Sequence, residues 1–107
     1  MNRLTYLLQL HEESPRDAFI LFALAKEYEK IGQQDDALKY YLTLKRAVPG
    51  YVGLYYHLGK LYEALKQPTD AIGVYREGLQ VARAAGDHHA AAELNGARLQ
   101  IDDDDDF

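Results

Sequence analysis

A stretch of this chain returns thirty-four residues after its first appearance. Leu24-Ala25-Lys26-Glu27-Tyr28 comes back as Leu58-Gly59-Lys60-Leu61-Tyr62. The same offset carries Gln33 onto Gln67, Asp36 onto Asp70, Ala37 onto Ala71 and Tyr41 onto Tyr75. Self-similarity at a period of this length means one supersecondary unit used repeatedly, each copy burying its apolar face against the next. Leu21, Leu24, Ala25, Tyr28 and Ile31 recur at helical spacing, as do Ala37, Leu38, Tyr41, Leu44 and Val48. The unit therefore reads as two helices joined by a turn.

The rest of the chain fits the same period. Leu4, Leu7 and Leu10 fall thirty-four positions before Leu38, Tyr41 and Leu44, so residues 2–13 read as the second helix of an incomplete unit. Ser14-Pro15-Arg16-Asp17 reads as a helix start, with Ser14 as cap and Pro15 in the first turn. Gly32 ends that helix near Ile31, Asp35-Asp36 open the next, and Pro49-Gly50 close it. A second pair spans about Tyr51 to Leu65 and Pro68 to Ala84, with Gly73 and Gly78 inside its second helix at a cost of about 1 kcal/mol each. After Gly86, Asp87 caps a last helix over residues 88–101. That helix turns Ala90, Ala91, Leu94, Ala97 and Ile101 inward, and Glu93, Arg98 and Gln100 outward.

These residues resemble the tetratricopeptide repeat (TPR) family. The family pattern sets Leu or an aromatic, then Leu-Gly, then Tyr on the first helix, with Ala, an aromatic and Pro on the second. Leu21, Leu24-Ala25, Tyr28, Ala37, Tyr41 and Pro49 match it once; Tyr55, Leu58-Gly59, Tyr62, Ala71 and Tyr75 match it again, with Arg83 in place of the Pro. The resemblance implies an all-α fold of about six helices, in which antiparallel helix–turn–helix repeats stack in a right-handed α-solenoid. Residues 1–101 would form a single domain: a half-unit helix (2–13), repeat one (18–51), repeat two (52–85) and a capping helix (87–101). Residues 102–107, five aspartates and a Phe, would form a disordered acidic tail.

Composition excludes several function classes. There is no cysteine, hence no disulfide, thiol chemistry or cysteine-based zinc site. All 12 Lys and Arg lie before residue 102, against 12 of the 17 Asp and Glu, so the body is neutral and the whole excess of −5 sits in the run Asp102 to Asp106. Nucleic acid wants a basic footprint, which this balance lacks. No run approaches the roughly 20 apolar residues that span a bilayer, and the start reads as a helix rather than an export signal. The expected setting is the cytoplasm. Ser14 is the one serine, the carboxylates are spaced as solvated helix residues, and the adjacent His88 and His89 diverge on a helix. The chain is therefore read as no enzyme, with no cofactor and no metal.

A second stripe on the first helices lies off the core. In repeat one it is Phe19, Phe22, Lys26, Glu29 and Lys30; in repeat two it is Gly53, Tyr56, His57, Lys60 and Glu63. The resemblance implies that these positions line a concave groove that holds partner segments, with Phe22 beside Tyr56 and Lys26 beside Lys60. Phe19, Phe22, Lys26, Lys30, Tyr56, His57 and Lys60 are the candidate binding residues. Aromatics beside cations suit an acidic protein segment with an apolar anchor. The competing account is that the last helix or tail covers the aromatics, while Lys26 and Lys60 pair with Glu29 and Glu63 and His57 has no role. The family's chaperone-clamping groove needs Asn where Lys26 stands and Lys where Phe22 stands, which argues against that use. The expected function is a protein-binding adaptor, monomeric or weakly homo-oligomeric. The alternative is a self-assembling structural module joined through tail or end-cap docking.

Overall fold

The computed structural model describes residues 2–102, and among them it contains six α-helices and no strand. They are α1 (Arg3–Glu13), α2 (Ala18–Lys30), α3 (Gln34–Ala47), α4 (Gly53–Ala64), α5 (Pro68–Ala84) and α6 (His88–Ile101). The chain divides into two compact units between Tyr51 and Val52. The first holds α1 to α3 and the second α4 to α6. The division falls at the repeat boundary, as expected where contacts run mostly between sequence neighbours.

Local chemistry places the helix ends. Asn2 accepts the Thr5 amide at 2.8 Å and caps α1. Asp17, not Ser14, caps α2, accepting the Ile20 amide at 3.1 Å. Ser14 is already committed to the end of α1, where its amide donates to the Leu10 carbonyl at 2.9 Å, so Pro15 and Arg16 form the turn between the helices. Asp87 caps α6 through the Ala90 amide at 3.0 Å. Acidic Asp35 and Asp36 open α3, and basic Lys45 and Arg46 end it, matching the helix dipole at both ends.

Three helices end in the same hydrogen-bonded turn. After α2, Gly32 donates to Glu29 and Gln33 to Tyr28; after α4, Lys66 donates to Glu63 and Gln67 to Tyr62; after α5, Gly86 donates to Arg83 and Asp87 to Ala82. This is the Schellman pattern, which requires a left-handed residue. Gly32 and Gly86 supply it at φ 80° and 71°, but Lys66 is held at φ 63° with a full side chain.

Inside unit one, Leu21, Leu24 and Ala25 of α2 face Ala37, Tyr41 and Leu44 of α3, all at 0% exposure. Ile31 was expected in this stripe but is 47% exposed. It lies past the last turn of α2, where the backbone has left the helical register. Tyr28 is half-buried, its ring stacked on Tyr40 at 5.5 Å with a 6° interplanar angle. In unit two the paired helices meet on two glycines. A Cβ on Gly59 of α4 would overlap the buried Tyr75 ring of α5, and a Cβ on Gly78 of α5 would overlap Tyr55 of α4. Leu94 of α6 also packs against Gly78, so that glycine admits neighbours from both sides. Gly73 is exposed with open space around it, and nothing in the structure explains it.

The end of α6 departs from expectation. Leu94 and Ala97 are buried, but Ala90, Ala91 and Ile101 are only partly so. Arg98, expected to face outward, turns in to meet Asp102, and Asp102 is 4% exposed rather than part of a mobile tail. Arg98 and Arg76 together compensate the buried carboxylate. The remainder of the expected tail, residues 103–107, lies outside the described residues.

The glycines yield predictions of opposite sign. Gly59→Ala lowers stability by about 1–3 kcal/mol, because the Tyr75 ring is enclosed and must shift. Gly73→Ala raises it by about 0.5–1 kcal/mol through helix propensity alone. Urea denaturation followed by circular dichroism reads both; equal shifts would refute the close crossing.

Candidate functional site

The outward stripe of unit one begins on α2. Phe19 lies in the first turn of α2, two residues after the Asp17 cap, and is 68% exposed. Lys26 and Lys30, one turn apart, are both exposed. With Arg3 of α1 and Ala23, Glu27 and Glu29 of α2 they border a shallow cleft. Arg3 is tied across it to Glu27 at 3.3 Å. Phe22 is not open in the same way. It is half-buried, its ring 6.2 Å from Tyr41 and 5.3 Å from Tyr51, so its face is already occupied by aromatic packing.

Unit two carries a different arrangement on α4. Tyr56 and Lys60, one turn apart, form one wall of a cleft of about 250 Å³. The other wall is α6, through Ala92, Glu93, Gly96, Ala97 and Gln100. The small side chains of Ala92, Gly96 and Ala97 leave that wall low. Lys60 Nζ sits 5.6 Å from the centre of the Tyr56 ring, at cation–π distance. It also pairs with Glu63 at 3.6 Å, as the competing account anticipates, and its side chain keeps 38% exposure. His57 is half-buried and lies outside this lining. Its ring meets Tyr56 edge-on at 5.8 Å and supports the tyrosine's orientation.

The structure therefore gathers Lys26 and Lys30 on one unit and Tyr56 and Lys60 on the other. It leaves Phe19 on the open surface and packs Phe22 and His57 against other rings. Sequence reasoning missed the α6 wall, because Ala92, Gly96 and Gln100, though at i, i+4 and i+8 on one face, are small or uncharged and read as solvated surface. It also missed the roles of Glu29 and Glu63. Tyr41 donates its hydroxyl to Glu29, and thirty-four residues on, Tyr75 donates to Glu63. Each bond ties the second helix of a pair to the carboxylate end of the first. The doubled Glu and Tyr at one period was the available signal.

Burial pushes the Tyr41 and Tyr75 hydroxyls well above the ordinary tyrosine range, and the hydrogen bond and charge of the paired glutamate push them further. Burial raises Tyr28, Tyr40 and Tyr55 as well. Among the described residues, no three His, Asp or Glu side chains converge as a metal-binding set. No helix among them is long and apolar enough to cross a membrane.

The family model for the tetratricopeptide repeat matches residues 52–85, the second of the two repeats. A crystal structure of a tetratricopeptide repeat domain protein from Salinibacter ruber is 44% identical to this chain. The match covers 79% of this chain and 94% of that one, with a TM-score of 0.75. The chain belongs to the tetratricopeptide repeat family. A solution NMR structure of a tetratricopeptide repeat domain protein from the same organism agrees, at 43% identity, 83% and 90% coverage and a TM-score of 0.79. No curated protein matches the chain. Its fold class is thus the all-α helical repeat of this family. TPR domains are in general protein–protein interaction modules and non-enzymatic scaffolds.

The tyrosines set a pH dependence. Tyr41 and Tyr75 keep their protons in the folded chain above the pH at which the unfolded chain releases them, about 10. The unfolded state then binds fewer protons, so stability falls as pH rises beyond about 10. The Tyr41→Phe/Tyr75→Phe variant should lose less stability between about pH 9 and pH 11 than the wild type, measured by urea midpoints. A parallel loss in both would show that these hydroxyls do not retain their protons.

Proposed function

We propose that this chain is a non-enzymatic adaptor that holds an extended segment of another protein, acidic and with an apolar anchor. The observation that carries this reading is the cleft of unit two, where Lys60 lies over Tyr56 opposite the low wall of α6. A flat aromatic face accepts an apolar side chain, and the neighbouring ammonium accepts a carboxylate. The small residues of α6 leave room for a backbone to pass. Lys26 and Lys30 of α2 offer unit one a second contact of the same sign, with Phe19 as its exposed apolar neighbour. Glu93 and Glu63 beside the cleft limit how many acidic groups it accepts, which favours a segment with its charge concentrated near Lys60.

Individual exposed ion pairs contribute at most about 1 kcal/mol, so the anchor supplies most of the affinity and the charges supply direction. The test is a titration of the 15N-labelled chain with short acidic peptides that do or do not contain one Phe. Binding should move the Tyr56, Lys60, Gly96 and Gln100 resonances, depend on the Phe, and weaken by roughly tenfold in Lys60→Glu. Shifts scattered over both units, or unaffected by Lys60→Glu, would refute the reading. Light scattering over a concentration series distinguishes it from self-assembly.

A further inference from the structure

The cleft wall formed by α6 is held in an unusual way. Few of its side chains are buried: Leu94 and Ala97 are, whereas Ala90, Ala91 and Ile101 remain partly exposed. So narrow an apolar face buries few large side chains, although the helix lies closely along α5. At its end stands Asp102, whose side chain is 2% exposed. A carboxylate is disfavoured there twice, by burial and by the negative end of the helix dipole. It is tolerated because two guanidinium groups meet it. Arg76 Nη2 of α5 donates to Asp102 Oδ2 at 2.6 Å, and Arg98 Nη1 donates to the same oxygen at 3.1 Å. Arg98 is in turn steadied by Asn95, to whose Oδ1 its Nη2 donates at 2.9 Å. The Asp102 amide donates to the Arg98 carbonyl at 3.0 Å, which fixes the carboxylate at the last turn. Charge-assisted bonds of this kind are the strong ones. Arg98 is 16% exposed and Arg76 53%, so the Arg98 bond is the better shielded from salt.

The geometry points to Asp102 as a latch. It clips the end of α6 to Arg76 of α5, and α6 opens and closes as a unit on that clip while α4 and α5 stay paired. The separation follows from the packing. α4 and α5 lock through the bulky Tyr75 and Tyr55 rings over Gly59 and Gly78, whereas α6 adds Leu94 and the small Ala97 to that core. Local opening of this sort belongs to the elements with the fewest buried apolar contacts. Its consequence for binding rests on the proposed function: opening α6 removes the wall that faces Tyr56 and Lys60, so the latch sets how much of the cleft is preformed.

The test uses the full chain and no ligand. Native-state amide exchange is followed by NMR in the wild type, Asp102→Asn, Arg76→Gln and Arg76→Lys. In Asp102→Asn the α6 amides from Ala92 onward should exchange at least about tenfold faster, while those of α4 and α5 change by less than about threefold. Arg76→Gln should reproduce the pattern to a smaller extent, since Arg98 remains. It carries the test should Asp102→Asn fail to fold. Arg76→Lys should restore part of the protection. Equal acceleration across α4, α5 and α6, unchanged α6 exchange, or indistinguishable Arg76→Gln and Arg76→Lys would each overturn the latch. A peptide titration that fails while this exchange pattern holds would remove the binding reading and leave the latch standing.

Discussion

The structure depends on a tyrosine passing over a small residue. In unit two the Tyr75 ring occupies the space a side chain at Gly59 would fill, and Tyr55 occupies the space above Gly78. The two contacts are reciprocal: each helix of the pair supplies one tyrosine and one glycine. Because protein interiors pack at nearly crystalline density, such a contact admits little variation in volume. It brings the helix backbones close and leaves the remaining faces of both helices available. In unit one the corresponding position holds Ala25 opposite Tyr41, both fully buried.

That crossing also sets the electrostatics. Once the tyrosines are buried, their hydroxyls need acceptors, and Glu29 and Glu63 stand at the rim to supply them. The bond is neutral on one side and charged on the other, so it satisfies the hydroxyl without burying a full carboxylate. Glu63 then has a second duty. It also meets Lys60 at 3.6 Å, and Lys60 meets the ring of Tyr56. The core of the pair and the edge of the candidate cleft are thus linked through one carboxylate, and a change at Tyr75 would be felt at Lys60.

The α6 helix follows other rules. It lacks a broad apolar stripe, and its buried side chains are Leu94, which rests on the face around Gly78, and Ala97. The ionic contact at Asp102 supplements that packing. Buried ion pairs contribute less net stability than their geometry suggests, because desolvation opposes attraction, whereas removing one partner leaves an uncompensated buried charge and costs far more. The ionic contact therefore fixes where the last turn of α6 lies, while Leu94 and Ala97 supply its buried packing.

The amino-acid sequence alone carried the family, the helix pairs and most of the cores, because volume constraints repeat at a fixed period. Leu24, Ala37, Tyr41, Gly59 and Tyr75 announce themselves by recurring. Helix ends with a glycine were legible because glycine adopts the left-handed turn without strain, whereas Lys66, which the period places where Gly32 stands, was not legible by residue type, since its conformation is imposed by the hydrogen bonds around it. The candidate site was legible only in part. Lys26, Lys30 and Lys60 could be placed on an outward stripe by helical spacing. Whether Phe22 is open or packed depended on Tyr41 and Tyr51, which approach it only in the folded unit. Nothing in a row of five identical aspartates marks the first as different, although Arg98 four residues earlier was a hint. Tertiary structure decided that Asp102 is buried, because only folding carries Arg76 from a separate helix, twenty-six residues away, to within 2.6 Å of it.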